Sequence, residues 1–482
     1  MNFLSIDIGT TGCKCQLFSS SGDILEYRFS EYPFLEKEGY HYVNVHKIYE
    51  CLCEMIGSVG KKHEISSLAF SSLGESFVLL DEEDNILFYP MLYTDARGEV
   101  EAEEIKEKFG AERAFLVSGV LPHSMYSLSK LIYIKKTYPD LFSKARKVML
   151  MCDYFGYLFS GERAIDYGLA ARTGAFDIEK KEFSREMLSL FGISPELFSP
   201  PRPTGSIVGK LKPEWGENIT LVLGSHDQIC TALGAGVLDA GEAVDGMGTV
   251  ECITTVFDQK PTDATMGTQG YCVVPYAKEG HYCTYILNFA CGSIVNWVRK
   301  KIMHGYGGEC ENFFSYMEEK MKGKPTGILT LPYFSGASTP YQDLSAKGVI
   351  IGLTTDTEDA DLYQSVLEGT SMEMRLNLDT VHPYGLALTA LVATGGGANS
   401  DKWLAIKSDI MRVPVRTLRS SEGGLCGLAM LASVALGNDE TLYSARERFV
   451  RYDKEFTPSK SPVYESQYNK YKKIYLDIKE YF

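Results

Sequence analysis

The chain has 482 residues, 45% of them hydrophobic, and a formal net charge of −15 at pH 7. That length exceeds the usual single core and sets two domains of similar size as the expectation. The acidic balance argues against a nucleic-acid or anionic-membrane surface, since either needs clustered basic residues. Met1 leads straight into an apolar strand without a basic and apolar leader, and the run Leu425 to Leu436 is too short for a membrane span and contains glycines. The twelve cysteines are scattered without paired CxxC spacing, so the expectation is a cytoplasmic protein with reduced, buried thiols and no zinc site.

Leu4, Ile6 and Ile8 alternate with Ser5 and Asp7, then Gly9-Thr10-Thr11-Gly12 breaks the run and Cys13, Cys15 and Leu17 resume it. This pattern predicts a β-hairpin. Its glycines can serve the turn alone, or the tip can bring backbone N–H groups and hydroxyls of Thr10, Thr11 and Gly12 to a phosphate. Asp7, at the strand end, can then hold a hydrated divalent cation, and Lys14 can add a point charge. A helix is expected over His46 to Gly57, followed by a strand Ile65 to Phe70 that ends in Ser71-Ser72-Leu73-Gly74-Glu75, and a strand Phe77 to Leu80. Polar residues at strand ends line clefts in α/β sheets, which makes Glu75 a binding candidate beside the plainer reading of a solvated turn residue.

Asp95 and Arg97, two apart on an extended segment, point to one side; they can serve neighbouring hydroxyls or pair with each other. Helices are expected over Glu99 to Phe109, Ser129 to Tyr138 and Val148 to Phe159, and Pro195 to Pro203 reads as a surface loop. A strand Thr220 to Leu223 then runs into Gly224-Ser225-His226-Asp227-Gln228 and a helix Ile229 to Gly236. Asp227 at that junction can cap the helix, and His226 is read as structural. At Ala243 to Val256 the hairpin pattern returns around Gly248 and Thr249. Two such tips suggest a duplicated fold, with one glycine-threonine tip in each domain.

Further on, a strand Leu329 to Pro332, a long helix Thr357 to Leu378 and a strand Leu388 to Ala393 are expected. The last runs into Gly395-Gly396-Gly397-Ala398-Asn399, where successive glycines let the backbone lie flat against an adenine or ribose and Asn399 can offer an amide. Tyr464, Tyr468, Tyr471 and Tyr475 have helical spacing and predict an amphipathic helix docked on the second domain.

DIGTTGCK, GSHDQICTALGAG, LPYFSGASTPYQDLSAKGVIIGL and ATGGGANSDKW, in that order, resemble the FGGY family of carbohydrate kinases across nearly the whole chain. The resemblance implies an α/β fold of two actin-like (ribonuclease H-like) domains around a cleft, with residues 1–238 binding sugar and carrying the catalytic base and residues 239–482 binding nucleotide. It implies ATP and Mg²⁺, with Asp7 at the metal. Thr10, Thr11, Gly12, Lys14, Gly248 and Thr249 would hold phosphates, Gly292 and Asn296 in NFACGSIVNWVR would approach phosphates or ribose, and Gly396, Gly397 and Asn399 would hold adenosine. Asp227 would be the general base, held ionised by its helix terminus, with Gln228, Glu75, Asp95 and Arg97 on the sugar. Gly424, Gly427 and Ala429 would allow close helix packing below the nucleotide, and Asp166 to Asp177 looks like a substrate-side loop to which no chemistry is assigned.

The SHDQ block is most similar to xylulokinases, although those relatives carry Met-His where Leu73-Gly74-Glu75 stand here, and glycerol kinases carry Arg-Glu. GASTP stands where relatives have GERTP. The function implied is phosphorylation of a ketopentose such as D-xylulose, with another ketose, a sugar alcohol or a sugar acid as alternatives and a catalytically silent nucleotide-binding regulator as the reading of another class. The partners implied are a small sugar and ATP, with no nucleic acid and no membrane; a homodimer stays open.

Overall fold

The computed structural model describes residues 1–216, 218–303, 313–420, 422–460 and 462–482. One plan appears twice. In the first half β1 (Asn2–Ile8) turns back into β2 (Gly12–Ser19) and β3 (Ile24–Glu31), α1 (Val45–Gly60) crosses over, and β4 (Ser67–Ser72) returns parallel to β1. Helix α2 (Met151–Ser160), strands β5 (Ile207–Lys210) and β6 (Thr220–Val222), and helix α3 (Asp227–Gly234) complete it. The strand order is β5-β6-β4-β1-β2-β3.

The second half runs β7 (Glu242–Met247), β8 (Glu251–Phe257), β9 (Val274–Pro275), β10 (Tyr282–Asn288), α4 (Gly292–Trp297) and α5 (Asp359–Val381). It continues through β11 (Ala390–Thr394), α6 (Asp401–Met411), β12 (Val415–Leu418), α7 (Gly423–Ala435), β13 (Tyr452–Phe456) and α8 (Glu465–Ile478). Its order is β9-β10-β8-β7-β11-β12-β13. Without the outer strands β5, β9 and β13, both sheets share one order: three antiparallel strands, then two added parallel to the first.

The alternation along β1 and β2 sets the register, with Leu4 opposite Leu17, Ile6 opposite Cys15 and Ile8 opposite Cys13. A one-residue slip would turn that whole apolar set to the other face of the sheet. Ile8–Cys13 closes over a four-residue tip, whereas Met247–Glu251 closes the second hairpin over three. The halves meet where α7 packs on α3, β1 and β4. A Cβ on Gly234 would stand 1.8 Å from the Gly423 carbonyl oxygen, and one on Gly427 would stand 2.1 Å from that of Cys230. Backbone lies on backbone there, and only glycines permit it.

Some elements depart from the sequence-based expectation. The run 148–159 is not one helix: Lys147–Leu150 is a buried strand that hands over to α2. Asp95 and Arg97 lie in turns before the helix Glu99–Ile105, not on an extended segment. Residues 195–203 hold a 3₁₀ turn (Pro195–Leu197) and a short strand (Pro201–Arg202). Helix α8 docks on the second half with the hydroxyls of Tyr468, Tyr471 and Tyr475 on Asp379, Glu373 and Asp343 at 2.5, 2.6 and 2.8 Å. No helix among the described residues is long and apolar enough to cross a membrane.

Candidate active site between the halves

The carboxyl ends of β1, β4 and β6 lie side by side. Leu73 N–H donates to the Ile8 carbonyl (3.1 Å), and Ser72, beside His226, donates its N–H to the Ser225 carbonyl (3.4 Å). Asp7, Glu75 and Asp227 therefore collect at one edge, where open parallel sheets receive ligands. Asp227 is the first residue of α3, and its Oδ1 accepts the Gln228 N–H at 2.6 Å. Burial and then the charge of Asp7 push its carboxyl up to about 8, while the 37% of the side chain left exposed tempers that push. The expectation of a carboxylate held ionised by the helix terminus is corrected: desolvation and a like charge outweigh the backbone amides.

His226 is buried, with Nδ1 3.0 Å from the Tyr285 hydroxyl and Nε2 3.0 Å from Asp227 Oδ1. Burial and the Arg172 charge push its pKa down to about 3, so the ring is neutral. A neutral ring that accepts from Tyr285 at Nδ1 carries its proton on Nε2, toward Asp227. The Gln228 side-chain oxygen is met by the Thr254 hydroxyl of β8 at 3.4 Å, which ties the start of α3 to the second sheet.

Glu75 is buried, not solvated. Its Oε1 accepts from Arg172 Nε at 2.7 Å and also from Nη2, and its backbone carbonyl accepts from Ser127 Oγ (2.7 Å). Burial alone would raise the Glu75 carboxyl; the Arg172 charge outweighs it and holds the group below its usual range. The Arg172 guanidinium lies 5.1 Å from the Tyr126 ring centre and 5.4 Å from that of Tyr285, on the second sheet. Of the two readings for Asp95 and Arg97, the structure shows the pair: Arg97 Nε and Nη2 reach the carboxylate at 3.0 and 2.5 Å, Nη1 donates to the Tyr42 hydroxyl at 2.8 Å, and the guanidinium sits over the Tyr40 ring at 3.8 Å. Lys130, 1% exposed, donates to the carbonyls of Asp95 (3.2 Å) and Ser124.

At the first hairpin tip Gly9 N–H closes on the Gly12 carbonyl (3.0 Å), and Tyr32 braces both sides, its N–H on the Thr11 carbonyl (3.1 Å) and its hydroxyl on the Gly9 carbonyl (2.6 Å). The amides of Thr10 and Thr11 have no acceptor among the described residues. Gly12 has a packing task, since a Cβ there would stand 2.9 Å from the Phe29 ring and from the Ser30 carbonyl. Lys14, opposite Asp7 in the ladder, pairs with Glu422 at 3.0 Å and so bridges the halves. Asp7 Oδ1 accepts from Ser71 Oγ at 2.6 Å, and burial raises its pKa.

The second tip repeats the arrangement. Gly248 N–H closes on Val250 O (3.0 Å), and the amides of Thr249 and Val250 have no acceptor among the described residues. Its brace is the start of α4: Gly292 N–H donates to the Gly248 carbonyl at 2.9 Å, and Cys291 and Ser293 N–H to the Thr249 carbonyl at 3.2 and 3.1 Å. Gly292 thus spends its amide on the hairpin, and a Cβ there would stand 2.7 Å from Gly248 O. The Asn296 side chain donates to the Gly292 carbonyl (3.0 Å) within its own helix. Gly292 thus braces the tip, and exposed Asn296 stands one turn further along α4. Gly395 (φ +81°) and Gly397 pack on Met247, the last residue before that tip, while Gly396 faces open space. Beside it opens a groove of about 310 Å³ lined by Gly395, Asn399, Asp401, Arg419 and Lys454 among others.

Four residues of this site carried no readable signal. Arg172, Tyr126, Tyr285 and Tyr32 act through partners distant in sequence; the nearest hint was the likeness of Asp166 to Asp177 to a substrate-side loop.

Two sheets of one strand order, each opened by a glycine-tipped hairpin, give the chain the duplicated α/β fold of the actin-like class. The chain belongs to the FGGY family of carbohydrate kinases: the model of the N-terminal domain matches residues 2–234 and that of the C-terminal domain residues 247–436. It is an enzyme that phosphorylates an alcohol group, and the family implies ATP as donor. The chain is similar to the xylulose kinase of Bacillus subtilis (strain 168), 27% identical over 493 residues, covering 99% of this chain and 97% of that one. It is also similar to the gluconokinase of the same strain, 27% identical over 459 residues, covering 90% and 87%. A ligand-bound xylulose kinase from Lactobacillus acidophilus shares the fold with a TM-score of 0.89 at 23% identity, covering 99% and 98%.

Proposed function

We propose that this kinase transfers the γ-phosphoryl group of ATP to a hydroxyl of a ketopentose, with D-xylulose as the first substrate to try. The observation that carries the choice is charge matching on the sugar side. Arg172 is paired with Glu75, Arg97 with Asp95, Lys130 is buried on two carbonyls, and His226 is neutral. A sugar acid would bring a carboxylate to a site whose two arginines already have carboxylate partners and whose lysine is spent on backbone carbonyls, and burying an unmatched charge is costly. A neutral polyol instead finds charged groups that strengthen hydrogen bonds to hydroxyls. Xylulose kinases stand with gluconokinases among the relatives, and this argument favours the former.

In this reading Asp227 accepts the proton of the attacking hydroxyl, oriented by His226 and Gln228, and loose phosphoryl transfer asks for little more than a base in reach. The open amides of Thr10, Thr11, Thr249 and Val250 cradle phosphates, and the glycine loop receives the adenosine. Asp7 suits Mg²⁺: its Oδ2 accepts no hydrogen bond among the described residues, and they contain no ready-made group of three or more ligands. This donor set fits an ion that keeps waters and takes its other ligands from phosphate; bound there, it would offset phosphate charge.

The test is coupled ADP release over D-xylulose, other ketoses, sugar alcohols and gluconate. Strongest stimulation by D-xylulose supports the proposal. Preference for gluconate overturns the charge argument, and ATP binding without stimulation by any of them favours a silent regulator.

A further inference from the structure

Beneath the second hairpin lies a cluster of charges that this mechanism does not use. Lys407 on α6 contacts Asp245 Oδ2 on β7 and Glu251 Oε1 on β8, and all three side chains are 0% exposed. The lysine thus holds both arms of the hairpin, one on either side of its tip. Asp245 Oδ1 and Glu251 Oε2 remain buried without a hydrogen bond, and the Cys291 thiol, where the brace of the tip begins, lies against Glu251. One turn before Lys407 on the same helix, Trp403 lies under the glycine loop, 3.1 Å from where a Cβ on Gly397 would be.

The first half shows that the fold does not ask for charge here. Asp245 precedes its tip by three residues, as Ile6 does, and Glu251 stands opposite Met247 as Cys13 stands opposite Ile8. Ile6, Ile8, Cys13 and Cys15 are all buried and apolar. Buried ion clusters of this kind often stabilise a fold less than apolar residues of the same size; what they supply best is a unique register.

We propose that Lys407 is a positioning residue that locks the phosphate hairpin to the glycine loop through α6, and so sets the spacing between the triphosphate and adenosine subsites. The proposal rests on the nucleotide reading above. Without the lock each subsite persists, but the two no longer hold one ligand in register.

The test compares two probes on the full-length protein by calorimetry, AMP and Mg-ATP. In the variant Asp245→Leu/Glu251→Met/Lys407→Met, which imitates the apolar first half, AMP affinity should stay within about twofold of wild type while Mg-ATP binds about tenfold more weakly. A merely structural cluster would move both affinities together or neither, and a folded variant with the wild-type ratio overturns the proposal. If the triple variant does not fold, Glu251→Gln decides: the same selective loss, about threefold, supports the lock, and an unchanged ratio overturns it. Wild-type protein that binds neither probe overturns the nucleotide reading itself, a result distinct from an unchanged ratio.

Discussion

Arg172→Met is the substitution that most directly probes the sugar side. Glu75 and Arg172 are 4% and 5% exposed, and the arginine supplies both hydrogen bonds to Glu75 Oε1. Methionine keeps much of the volume and leaves a buried carboxylate without its cation. Breaking one side of a buried pair costs about 3–5 kcal/mol at neutral pH, which lowers the melting temperature by about 6–20 °C for a unit of this size. The pH dependence has a definite sign. In wild type the depressed pKa of Glu75 adds stability above its unfolded value, lost as pH falls through the folded value; in the variant, burial raises that pKa, and stability is lost as pH rises. The gap between variant and wild type should therefore be largest near pH 7 and shrink toward about pH 4. Glu75→Gln/Arg172→Met should recover most of the melting temperature but not the KM for sugar. A loss below about 1 kcal/mol at pH 7, or one equal at both pH values, refutes the reasoning.

Tyr32→Phe removes the hydroxyl that braces the first tip at Gly9; it should cost about 1 kcal/mol and raise the KM for ATP with sugar KM unchanged, and an unaltered ATP KM would show that the brace is dispensable. Gly234→Ala drives a Cβ to 1.8 Å from the Gly423 carbonyl, and thermal unfolding should register at least about 1–3 kcal/mol of destabilisation; wild-type stability would mean that the helix crossing yields freely. Because burial and the Asp7 charge raise the Asp227 carboxyl, an effect its exposed part tempers but does not cancel, kcat/KM should climb about tenfold per pH unit through the acid range and level off only above the ordinary carboxylate range. A profile flat from pH 5 to 8 would show a base that ionises in the ordinary range.

Alternation made the first hairpin legible, and the second was legible as its repeat. Around Gly9-Thr10-Thr11-Gly12 the apolar period marks both strands, around Gly248-Thr249 two apolar runs flank a glycine-threonine tip, and both registers are hairpins. Residues 147–160 failed because a continuous apolar run has no period that separates a buried strand from a buried helix. The site was legible as far as its residues sit at strand ends, as Asp7, Glu75 and Asp227 do. Their states were not, because burial and long-range partners set them: Glu75 depends on Arg172, 97 residues away, and Asp227 on Asp7. The packing duty of two glycines was not legible: Gly12 and Gly292 let Phe29 and the Gly248 backbone come close, through partners that no local pattern marks. Lys407 stood unnoticed in an amphipathic helix whose pattern does not betray a buried lysine.

The central claim is that Asp227 serves as proton acceptor beside a triphosphate held by two hairpins, and Asp227→Asn, which preserves shape and removes the base, tests it most directly. With D-xylulose and ATP, coupled ADP release should fall by about 100-fold or more while calorimetric ATP affinity stays within about threefold of wild type. A folded variant that still turns over at a tenth of the wild-type rate or better, or that loses ATP binding in step with activity, contradicts it.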